Sequence, residues 1–130
     1  MDWRECIKEK IVKDITKDSN LIISTKRIAE MKIKSAEILP EEHYISKITL
    51  LYDALRGFLE AISLEKGFKV YNHECYTAFL REILNLSNEA AIFDNLRKIR
   101  NGINYYGETL DEQEAKQTIK SLKELIKKFK

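Results

Sequence analysis

A single proline and four glycines in 130 residues leave this chain short of turn formers. A protein built of many short strands needs a turn roughly every 8–12 residues, so an all-β architecture is excluded. An excess of one charge is missing too: 23 Lys and Arg face 21 Asp and Glu, a formal net charge of +2. No bulk electrostatic case for nucleic-acid binding survives that balance, and only a local basic patch can make one. Two cysteines, Cys6 and Cys75, supply no legible disulfide framework, and with only His43 and His73 beside them no metal site of ordinary spacing can be drawn. His73-Glu74-Cys75 opens like a zinc deaminase motif, but the Pro-Cys-x-x-Cys that would complete it is absent. The four glycines never gather into a phosphate-cradling loop. Neither a cofactor nor a metal is expected. Met1-Asp2-Trp3-Arg4-Glu5 lacks the apolar run of a signal peptide, and nowhere is there an apolar stretch long enough for a membrane span. The expectation is a cytoplasmic, reduced protein with no membrane attachment, in which the sequon Asn85-Leu86-Ser87 is chance.

What the chain does contain is 44% hydrophobic and 34% charged residues, enough to bury one core, so residues 1–130 read as a single domain. Hydrophobic periodicity then predicts helices. Trp3, Ile7, Ile11 and Ile15 share one face of a first helix over about 2–17. Ser24 or Thr25 caps a second, about 24–38, closed by Leu39-Pro40. The third, about 41–65, carries the longest stripe: Tyr44, Ile48, Leu51, Leu55, Phe58, Leu59 and Ile62, stopped by Gly67. A fourth starts near Asn72 and a fifth at Ser87 or Asn88, ending at Gly107 in the manner of a C′ glycine. In the last, Ala115, Ile119, Leu122, Ile126 and Phe129 line one side and lysines the other. Phe68-Lys69-Val70-Tyr71 is the one strand-like run; without a second to pair with, it reads as a connection. The prediction is an all-α, antiparallel up-and-down bundle of five to six helices.

The segment from Leu96 to Gly107 stands apart from the evenly mixed charges elsewhere. Ile92, Leu96, Ile99, Ile103 and Tyr106 mark the core side of the fifth helix by stripe logic, which sets Arg97, Arg100, Asn101 and Asn104 opposite, with Tyr105 at their border. No acid lies between Arg97 and Tyr106. Two guanidiniums and two amides on adjacent turns form a set of planar donors suited to phosphate or carboxylate. Asn101-Gly102 weakens an exposed helix face without benefit to stability, the kind of local cost that function imposes. Gly102 would let another backbone or a ligand come close. A solvated basic face with no role is the plain alternative.

Arg100-Asn101 near the end of the penultimate helix resembles the signature of HEPN domains, an Arg-Asn pair followed by three variable residues and a histidine. The stretches Leu51-Tyr52-Asp53-Ala54-Leu55-Arg56-Gly57-Phe58-Leu59-Glu60-Ala61 and Gly67-Phe68-Lys69-Val70-Tyr71-Asn72-His73-Glu74 agree, so the resemblance spans about residues 40–107. It implies a helical bundle that dimerises with the motif helices, here helix five, facing each other. In active members of the family, arginine and histidine from both subunits cleave RNA without a metal, the ribose 2′-hydroxyl attacking the adjacent phosphate. Many are toxins paired with a minimal nucleotidyltransferase antitoxin; others are inactive modules that bind a nucleotide or a partner. In this sequence the histidine position falls on Tyr105, preceded by Asn104, and the family's later tyrosine position falls on Gly107, beside Tyr106. A tyrosine titrates near 10 and a histidine near 6.5, so a substitute tyrosine base loses roughly 10³ in active population at pH 7. The expectation is therefore a homodimeric RNA- or nucleotide-binding module, one half of a pair with a nucleotidyltransferase, with catalysis weakened. Arg100 would contact phosphate, Asn101 would fix that arginine or cap a helix across the dimer, Arg97 would add charge, and Asn104 and Tyr105 would hydrogen-bond the ligand or the partner; His73 and Tyr106 are accessory candidates. A metal-independent endoribonuclease using Arg100, Asn101 and Tyr105 or His73, and a helical scaffold with no ligand, are the alternatives.

Overall fold

In the computed structural model, which describes residues 1–130, the first helix is much shorter than predicted: α1 spans Trp3–Lys8, capped by the Asp2 carboxylate, which accepts from the Glu5 amide at 2.8 Å. Lys10 then takes a left-handed turn with φ 61°, and the chain re-emerges as strand β1, Val12–Asp14. The i, i+4 spacing of Ile7, Ile11 and Ile15 pointed to a helix, but Ile11-Val12 and Ile15-Thr16 are β-branched pairs that favour extended backbone. β1 supplies the partner that the strand-like run lacked. Helix α2 covers Ser19–Ile38 and α3 covers Tyr44–Glu65; after Gly67, at φ 87°, strand β2, Phe68–Val70, pairs antiparallel with β1, Val12 opposite Val70. α2 starts five residues before the predicted cap, because Asp18 caps it instead, accepting from the Leu21 amide, while Thr25 bonds back to the Leu21 carbonyl.

Helix α4, Glu74–Ala78, runs into a π-helical turn at Phe79–Ile83; α5 covers Ser87–Tyr106 and α6 covers Glu112–Phe129. Gly107, at φ 63°, ends α5 as a left-handed cap, and Asp111 with Glu114 forms a capping box at the start of α6. The result is an all-α helical bundle with a two-stranded ribbon at one side. α3 is its axis, packed against α2, α5, α6 and the ribbon, with Tyr52, Leu55, Phe58 and Leu59 fully enclosed. α2 lies close on α3 at Gly57, where an added Cβ would sit 3.1 Å from the Ala29 Cβ. No helix is long and apolar enough to cross a membrane.

Cys6 and Cys75 are joined as a disulfide, against the expectation of free, reduced thiols. Folding sets α1 on α4 and brings the two Cα atoms to 6.1 Å, within the range a disulfide spans, although 69 positions separate the residues in the chain. Both are completely buried, beside the Trp3 indole wedged against Phe68 and Phe79.

Candidate functional site, a cationic cluster on helices three to five

α5 is rotated about its axis relative to the stripe reading. Ala90, Phe93 and Leu96 are buried, whereas Ile92 and Tyr106 are 43% and 77% exposed. The buried side of the helix therefore includes Arg97 and Arg100, whose side chains are each only 15% exposed. Guanidiniums can turn inward here because α3 and α5 supply partners. The Arg100 guanidinium lies between two aromatic rings, 5.4 Å from the centroid of Tyr52 and 5.8 Å from that of Tyr105, a cation–π arrangement. Its Nη1 donates to the Tyr105 hydroxyl at 3.4 Å, and Nη2 stands 3.7 Å from Asp53. Arg97 donates from Nε and Nη2 to Asp94 Oδ1 at 3.1 and 2.9 Å.

Arg56 on α3 joins them, bonded to Glu60 at 3.0 Å, and Lys69 on β2 meets the other oxygen of Glu60. A common pattern results. Asp53 is shared by Lys32 and Arg100, Glu60 by Arg56 and Lys69, and Asp94 by Arg97 and Lys98. Six cations thus surround three carboxylates, a local surplus of three in a chain whose whole net charge is +2. Burial alone would raise the Glu60 and Asp94 carboxyls, but their paired cations hold both below the usual range.

His73 is the neutral member of the cluster. It is the first residue of the α4 turn, yet its ring makes no cap; the Asn72 side chain does that, accepting from the Glu74 amide at 2.8 Å. The imidazole Nδ1 instead meets the Tyr52 hydroxyl at 3.1 Å. Burial, then Arg56 and Arg100, push His73 down to about 4, with Asp53 opposing. Tyr52 is fully buried and burial raises its phenol well above the ordinary value, so it stays protonated. With Nδ1 as its only partner, the phenol must donate or leave a buried proton unpaired, at a cost of about 1–3 kcal/mol. Assigned in this way, Nδ1 accepts and the imidazole proton sits on Nε2. His73 Nε2 is then a donor, like the guanidiniums, and not a base.

Two buried polar atoms in this cluster have no hydrogen bond: Arg100 Nε and Tyr76 Oη. Tyr76 is 1% exposed, and Arg56 acts on its phenol electrostatically without bonding to it in good geometry. A crevice of about 90 Å³ between α2 and α3 flanks the cluster, lined by Thr25, Ile28, Lys32, Asp53, Arg56 and Glu60 among others. A larger cleft of about 420 Å³ lies elsewhere, floored by Ala36, Tyr44, Leu51 and Ile119; its rim mixes glutamates and lysines and holds none of the arginines.

Of the residues singled out from the sequence, Arg97, Arg100, His73 and Tyr105 come together. Asn101 lies half-buried on α5, while Asn104 and Tyr106 remain at the surface. The space at Gly102 is filled by the chain itself: beyond Gly107 the Glu108 side chain folds onto Gly102, and the Glu108 amide donates to the Gly102 carbonyl at 3.1 Å. Tyr52, Asp53, Arg56 and Tyr76 were missed as site residues. The available signal was Asp53, Arg56 and Glu60 recurring on one side of the most apolar helix. What the arrangement can do chemically is hold an anion, since its cations outnumber the three carboxylates with which they pair. No family model matches the chain, and neither a curated protein nor a solved structure does.

Proposed function

We propose that this protein is an HEPN-like module that binds the phosphate backbone of RNA or a nucleotide, with the family's catalytic step weakened. The observation that carries the reading is the donor surplus around His73: Arg56, Arg97 and Arg100 with two buried polar atoms left open between them. Each orphaned atom costs about 1–3 kcal/mol, and because both are enclosed a phosphate oxygen would relieve that cost by displacing the side chains that cover them. Tyr105, 68% exposed and over the Arg100 guanidinium, offers a ring face to a base beside the bound phosphate. Strand cleavage needs a proton acceptor near the ribose hydroxyl, and His73 with its proton on Nε2 does not offer one. A minimal nucleotidyltransferase remains the partner that the family resemblance suggests.

The test is a labelled single-stranded RNA incubated with the protein in EDTA, read by anisotropy for binding and by gel for cleavage. The expected result is binding without products, weakening as salt rises with a slope of about −2 for three phosphate contacts on single strands. Arg100→Ala should lower affinity at least tenfold. Absence of binding at 50 mM salt would refute the reading; products that vanish with Arg100→Ala would replace it with the nuclease.

A further inference from the structure

Helix α2 packs extensively on α3 alone, and its outer face is not polar. Leu21, Ile28, Met31 and Ile38 are 40%, 51%, 62% and 83% exposed. With the exposed Ser24 and Ser35 they recur at alternating spacings of three and four, the a and d positions of a heptad seam along which one helix lies against another. The same six positions read alike from either end. Turned about a two-fold axis between Ala29 and Glu30, Leu21 falls opposite Ile38, Ser24 opposite Ser35 and Ile28 opposite Met31.

We propose that a second copy of this chain docks antiparallel along α2, large residues meeting large and serine meeting serine. The palindrome selects a copy of the same helix over an unrelated peptide, since an isologous interface requires a surface complementary to itself. Area agrees. The stripe runs about 27 Å and exposes on the order of 400 Å² of apolar surface. That is close to the apolar share of the roughly 800 Å² per partner in a standard interface. The rim of the α2 seam is cationic, with Lys32 on one edge and Arg27 and Lys34 on the other. Like charges across it are screened beyond about 8 Å at physiological salt, so the pair should tighten as salt rises. Thr25, Ile28 and Lys32 also line the crevice beside Arg56, so the two cationic clusters would share one edge of the dimer. The inference stands whether or not the clusters bind RNA.

Sedimentation velocity of the full chain without nucleic acid, over about 5–200 µM, tests it. A monomer–dimer equilibrium is expected, strengthened by salt and weakened at least tenfold by Met31→Glu or by Ile38→Glu, both surface changes that the fold tolerates. Mixing a Leu21→Cys chain with an Ile38→Cys chain should give the mixed cross-link on oxidation, since the native cysteines are already joined to each other. A chain that stays monomeric, a dimer indifferent to both glutamates, a dimer loosened by salt, or cross-links only between identical positions would each overturn the proposal.

Discussion

Neutral histidine inside a ring of arginines makes stability depend on pH in a calculable direction. Unfolded, His73 takes a proton near 6.5; folded, it resists until about 4. Above about 6.5 neither state binds the proton and stability is whole, whereas between 6.5 and 4 the unfolded chain alone gains it, so stability falls as pH falls. Since the ring keeps some contact with solvent, the loss is discounted to about 1 kcal/mol, or about 3 °C in Tm. Thermal melts at pH 7.5 and 4.5 should show that extra loss in the wild type relative to His73→Gln; equal losses would contradict the burial argument. Arg97 and Arg100 were legible as the residues of interest because no acid interrupts them in sequence. Their direction was not. The stripe of Ile92, Leu96, Ile99 and Ile103 assigns apolar residues to the core, and a guanidinium enters it only when Tyr52, Asp53 and Asp94 satisfy it, partners that a single helical wheel does not contain.

Among the elements, α1 is six residues long and could not persist alone in water. Trp3, the β1–β2 pairing and the Cys6–Cys75 bond hold it. Closing a loop of this length is worth up to about 4 kcal/mol, so reduction with a phosphine should lower Tm by about 10 °C and speed amide exchange first in α1 and β1. Unchanged melting after verified reduction would show the bond to be idle. Gly57 sets the spacing of α2 on α3, and Gly57→Val should cost about 2 kcal/mol by overpacking against Ala29, measurable by urea titration. Sequence periodicity captured α3 and α6 because their apolar stripes are long and their ends are marked by Gly67 and Asp111. It failed at 2–17, where a short helix, a left-handed lysine and a three-residue strand leave no period long enough to read.

For the whole molecule the decisive quantity is how charge is distributed rather than its total. A net charge of +2 argued against nucleic acid, yet six cations against three carboxylates gather along α3 and α5, two of them from the neighbouring α2 and β2. Composition cannot show this, because it depends on α5 bringing Arg100 to Asp53 of α3, 47 positions away in sequence. The disulfide was hidden for the same reason, since two cysteines 69 positions apart have no spacing to interpret until α1 lies on α4. A bound phosphate would sit among these donors and favour the charged imidazole. The most direct measurement is therefore an NMR titration of the His73 ring with and without a short single-stranded RNA. The account predicts a titration near 4 in the free protein that moves up by at least one unit with RNA, and much less in Arg100→Ala. A histidine that titrates identically with and without saturating RNA would show that no anion binds in the cluster.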